Sequence, residues 1–129
     1  MKEVLKEFEF DEWYKGYALW EDVDFSYRVG KKYKLAVVAE AKVLHLHIYN
    51  FSRERAAKIG DLEIVDRFYF LSKHAADMSF LMGVWASFGT IMRNLVNVIK
   101  YRNMFFLTQA QHNIYALLRC ARGDIRRGF

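Results

Sequence analysis

The sequence predicts an α+β fold, mostly helical, in which an acidic helix and two short strands precede a set of amphipathic helices. Three observations predict it. Residues 43–48 alternate between two faces at the strand period. Residues 34–40 form a short apolar run closed by a lysine and a glutamate. From Phe51 onward the apolar residues recur three and four apart, the helical period. At 129 residues there is room for one domain. A composition that is 53% hydrophobic and 17% aromatic excludes a disordered chain.

Taken in order, residues 1–9 form a short helix with Val4, Leu5 and Phe8 on one face. Phe10, Asp11 and Glu12 lead into Trp13 and Tyr14, and Gly16 permits a turn. The 20–30 stretch is ambiguous by pattern alone. Val23, Phe25, Tyr27 and Val29 alternate with polar residues, as in a strand. Yet Glu21, Asp22 and Asp24 would fill a helical first turn, where the dipole favours negative charge. Asp24 and Arg28 are spaced i, i+4 with the acid first, and Gly30 suits a C-terminal end. Helix is the expectation here, in part for the resemblance described below.

Residues 34–40 read as a buried strand, and residues 43–48 as a second. On the second, Leu44, Leu46 and Ile48 face one side; Val43, His45 and His47 face the other. Leu62, Val65, Tyr69 and Ala76 make a helical stripe that Ile64, Phe68, Leu71 and Ala75 widen. Residues 78–92 are 15 consecutive uncharged positions, short of the roughly 20 needed to span a bilayer. With Trp85 and Phe88 inside it and Arg93, Lys100 and Arg102 after it, this segment fits an interfacial helix or a buried core helix. Residues 105–122 read as a further helix that Gly123 ends. The organisation is a 1–50 portion carrying the chemistry and a 51–129 helical extension.

The net charge of +5 is unevenly placed. Residues 1–92 hold 13 Lys and Arg against 14 Asp and Glu, whereas residues 93–129 hold 7 against 1. A basic C-terminal part suits an anionic membrane surface or nucleic acid. No ordered nucleic-acid motif accompanies it, so nucleic acid is not an expected partner. One cysteine, Cys120, excludes an internal disulfide and a cysteine-rich zinc site, and fits a reducing compartment. The first residues are charged throughout and do not read as a signal peptide.

The chemistry concentrates at Glu21, Asp22, Asp24 and Arg28. A general base must hold an ionised acceptor within hydrogen-bond reach of the proton it takes, and a carboxylate here serves. The bland reading of the same residues is helix-start stabilisation with an Asp24–Arg28 pair. His45 and His47 could place nitrogen on a metal, although imidazole suits transition metals better than magnesium. The bland reading is two solvent-facing strand histidines. His74 and His112 fall in helical stretches and read as structural or exposed.

Together these pieces resemble the C-terminal part of the family 2 glycosyltransferases, inverting enzymes with a GT-A nucleotide-sugar fold. Phe10-Asp11-Glu12 resembles the family's F-D-E, and Glu21, Asp22, Asp24 and Arg28 its E-D-x-D-x-x-x-R. Ala41, Val43 and His45 resemble its A-x-V-x-H. Arg67 to Lys73 resembles the aromatic helix that follows. The metal-gripping D-x-D of many glycosyltransferases follows an apolar strand, which residues 13–21 do not contain. The resemblance therefore implies that Asp22 is the catalytic base for the acceptor hydroxyl. Glu21 would orient the acceptor or Asp22. His45 would help hold a divalent metal, Mg or Mn, on the donor diphosphate, with His47 a weaker candidate. Asp24 and Arg28 would brace the helix.

The resemblance further implies that the chain is a C-terminal fragment of a GT-A α/β fold. The nucleotide-sugar-binding half would lie upstream, and the chain alone would be inactive. The expected function is sugar transfer from a nucleotide-sugar donor to a hydroxyl acceptor, at the cytoplasmic face of a membrane. The alternative is a non-catalytic helical module that binds anionic membrane through its basic C-terminal helices.

Overall fold

The computed structural model describes residues 4–17, 19–44 and 51–126. It is all-helical, 65% helix, with no strand among the described residues. This corrects the α+β expectation and the GT-A α/β fragment with two short strands. Residues 35–38 and 41–44 are irregular, and residues 39–40 form a turn. The physical reason is the want of a partner. Leu35, Val37, Val38, Val43 and Leu44 are all exposed, and an apolar run without a neighbouring strand has nothing to hydrogen-bond or pack against. The rest of the second expected strand, with His45 and His47, lies outside the described residues.

Five helices follow in order: α1 (Val4–Glu7), α2 (Glu21–Gly30), α3 (Arg53–Lys73), α4 (Phe80–Tyr101) and α5 (Met104–Ala121). The three long ones form a bundle. Each starts on a side-chain cap: Ser52 accepts from the Arg55 amide, Ser79 from Leu81 and Asn103 from Phe105. The α4–α5 corner is tight, with Arg102 left-handed at φ 48°. Gly123, at φ +81°, follows α5, where a residue with a Cβ would be strained.

The apolar core comprises Ile64, Val65, Phe68, Phe70 and Leu71 of α3 with Ala116 and Cys120 of α5. Burial pushes the Cys120 thiol up to about 11, so it packs as a small apolar group. Much of the remaining interface is polar. Asn113 of α5 donates to the Gly60 carbonyl at 2.6 Å and accepts from Asn94 of α4 at 2.8 Å. Arg67 of α3 donates to the hydroxyls of Ser87 and Thr90 on α4, each at 3.0 Å. Such groups are tolerated inside only because they are hydrogen-bonded to one another.

Gly60 sets the α3–α5 distance. A Cβ there would sit 2.6 Å from the Gln109 carbonyl oxygen and 2.9 Å from the His112 Cβ. The first of these is backbone and cannot rotate away. Gly60→Ala should therefore lower the urea midpoint, with a loss of about 2 kcal/mol, in the range of overpacked cores. An unchanged midpoint would show that the two helices are not in close contact at Gly60.

Candidate functional site

On a helix, residues two apart are rotated by about 200°, so they leave from opposite sides, while residues four apart share a face. In α2 this divides the acidic motif. Asp22 is exposed, and Asp24 is fully buried on the side facing the end of α3. The D-x-D spacing on a helix thus cannot present both carboxylates to one ion.

Asp24 is held by three donors. Arg28 Nε, one turn along α2, reaches Oδ2 at 2.8 Å. Lys73 Nζ reaches the same oxygen at 3.0 Å, and His74 Nε2 reaches Oδ1 at 2.8 Å. Lys73 is shared: it also binds Asp11 Oδ2 at 2.6 Å. Asp11 in turn accepts from the Trp13 amide at 2.8 Å and from the Tyr69 hydroxyl at 2.9 Å. Arg28 Nη2 donates to the Glu9 carbonyl at 2.6 Å. One ionic network therefore joins the segment before α2, α2 itself and the C-terminal turn of α3.

Rings shield the network. Trp13 stacks on Tyr69 at 3.7 Å between centroids. Trp20 and Tyr27 pack on Phe70, and Tyr27 also on the His74 ring. Burial pushes the Asp24 carboxyl up, but the hydrogen bonds from His74, Lys73 and Arg28 outweigh it and hold the group below the usual carboxylate range. Asp11 behaves likewise: burial raises it, and Lys73, the Trp13 amide and Tyr69 bring it lower. The Tyr69 hydroxyl is pushed up to about 12 by burial and by its bond to Asp11.

Asp22 has a different setting. Its Oδ1 accepts from the neighbouring Val23 amide at 2.8 Å. Among the described residues it joins no ion pair. It stands on the rim of an open groove of about 600 Å³ lined with Val23, Ser26, Tyr27, Gly30 and Leu35. Two lining residues, Tyr27 and Lys31, are held by Asp77, which accepts from Tyr27 Oη at 2.8 Å and from Lys31 Nζ at 2.5 Å. Glu21 precedes it in the first turn and is half-buried.

Of the residues singled out in the sequence, Glu21 and Asp22 share the first turn, and Asp24 and Arg28 form the expected pair. His45 and His47 lie outside the described residues. No group of three or more His, Cys, Asp or Glu is disposed to hold a metal among the described residues. Lys73 and His74 are the residues that sequence reading missed as partners of Asp24. They stand 49 and 50 positions away, and no local spacing announces them. No family model matches the chain, and no curated protein or solved structure does.

The network sets a pH dependence. A carboxyl whose folded value is depressed contributes stability above its unfolded value of about 3.9, and loses it as pH falls through the folded value. Asp24→Asn should weaken the docking of the aromatic segment by about 3 kcal/mol at pH 7, because partly exposed cations are left with a neutral partner. Near-UV circular dichroism in urea should show this gap. It should shrink as the native protein is acidified below about pH 4. A gap constant with pH would remove Asp24 as the titrating brace.

Proposed function

We propose that this chain carries the acceptor-side, catalytic-base part of an inverting glycosyltransferase. The single observation supporting the reading is the division of the acidic motif: Asp22 open on a groove rim, Asp24 sealed as a brace. A base must meet its substrate, and a brace must not. In the reaction, Asp22 accepts the proton of an acceptor hydroxyl as its oxygen attacks the anomeric carbon of the donor sugar. The bond from that carbon to the diphosphate oxygen breaks, and the nucleoside diphosphate leaves with inversion. Glu21 orients the acceptor or Asp22. Asp24 and Arg28, with Lys73 and His74, fix the α2 helix that presents them.

In this reading the donor site is supplied by a separate nucleotide-sugar-binding part. A divalent metal, Mg or Mn, would travel with that part, and His45 is the group of this chain assigned to it. The chain by itself is expected to be inactive. The donor is a nucleotide sugar, and the acceptor is a hydroxyl compound of the polysaccharide or glycolipid kind.

A second reading, a non-catalytic helical module on an anionic membrane, is favoured by the charge balance of residues 93–129. The two readings share one location, peripheral to the cytoplasmic face of a membrane. Among the described residues no helix is long and apolar enough to cross a membrane.

Transfer assays on the protein that unites this chain with its nucleotide-sugar-binding part separate the readings. Asp22→Asn should lower transfer by about 10²–10⁴-fold while donor binding and melting stay unchanged. Undiminished transfer in Asp22→Asn would overturn the catalytic reading.

A further inference from the structure

Helix α4 is turned the opposite way from a helix of a water-soluble bundle. The side it buries carries Gly83, Ser87, Thr90 and Asn94, with Ile91 the one large apolar residue. The side it exposes carries Leu81, Trp85, Phe88, Met92, Val96 and Ile99. These recur four, three, four, four and three residues apart, which keeps them on one stripe about 27 Å long. Exposure is 74% at Leu81, 76% at Trp85 and 79% at Ile99, so the stripe stands clear of the bundle. Helix α5 is mixed: it buries Gln109 and Asn113 beside the small apolar Ala110, Ala116 and Cys120, and exposes Ile114, Tyr115 and Leu118.

A polar interior with an apolar exterior is stable when the exterior meets an apolar medium. The charges on these elements say which one. Residues 78–123 contain five Lys and Arg and no Asp or Glu. Arg93 is taken by Glu63 of α3 at 2.6 Å. Lys100 and Arg102 are exposed at the C-terminal end of the stripe, beside Tyr101. A second copy of this chain docked face to face would bring like charges together with no acid on either helix to offset them. Anionic headgroups offset them directly.

We propose that the outward face of α4 lies in the headgroup–acyl boundary of an anionic phospholipid bilayer, its axis along the surface. The stripe enters the acyl boundary, and Lys100 and Arg102 meet lipid phosphates. This deepens the membrane association named above and rests on it, while making no use of Asp22.

The test is co-sedimentation of the full chain with phosphatidylcholine vesicles, with and without phosphatidylglycerol. Binding to the anionic vesicles is expected, weaker to the neutral ones and reduced by salt. Phe88→Ser with Ile99→Ser, both at exposed positions, should cut binding at least about tenfold with the circular dichroism spectrum unchanged. Trp85→Phe should keep binding but remove the fluorescence quenching by brominated acyl chains. Asp22→Asn should bind as the native chain does, so a failure here is separate from a failure of the catalytic reading. No binding to anionic vesicles would overturn the proposal. So would quenching that persists in Trp85→Phe, or a dimer in sedimentation that the double substitution dissolves.

Discussion

A carboxylate taken out of water is unfavourable by several kcal/mol unless donors surround it. Asp24 is in that position, and the placement of the first third of the chain depends on how it is satisfied. Its three donors come from two elements far apart in sequence: Arg28 from its own helix, Lys73 and His74 from the end of α3. Because Lys73 also serves Asp11, the segment before α2 is drawn to the same point. The ring stack of Trp13 on Tyr69 then follows from proximity and keeps water from the ions. Helix α2 is ten residues long, too short to persist alone in water. Tertiary attachment has to hold it, and the attachment is this cluster.

The consequence for function is geometric. Fixing Asp24 inward fixes Asp22 outward, since the helix rotates one against the other. The carboxylate that does chemistry in the proposed transfer is therefore positioned by the one that does none. Beyond it, beside the apolar core of α3, the bundle uses small and polar contacts. Gly60 lets α3 meet α5, and Asn113 ties the Gly60 carbonyl to Asn94. Those contacts leave the large apolar side chains of α4 on the outside. The site and the proposed lipid-facing surface thus arise from the same feature, polar groups satisfying one another within the protein.

Much of this was legible in the sequence where the signal is local. The i, i+4 spacing of Asp24 and Arg28 gave the ion pair, and the stripe from Leu62 gave the core face of α3 as far as Leu71, whereas its last members, Ala75 and Ala76, lie exposed in the turn beyond the helix. The run at residues 34–40 misled, because an apolar stretch becomes a strand only beside another strand, and none is present among the described residues. The role of His74 was illegible because its partner is 50 residues away. For α4 the uncharged run at 78–92 fitted an interfacial helix and a buried core helix equally, and nothing local chose between them. The hydrogen bonds of Arg67 to Ser87 and Thr90 reveal that the small, polar face is the buried one.

The measurement that bears most directly on the Asp24 brace is amide hydrogen exchange, resolved by segment, on Asp24→Ala beside the native chain. If the buried carboxylate holds the first third in place, α2 loses protection while α3, α4 and α5 keep theirs. Unchanged protection in α2, or an even loss across all the helices, would contradict the brace and with it the outward setting of Asp22.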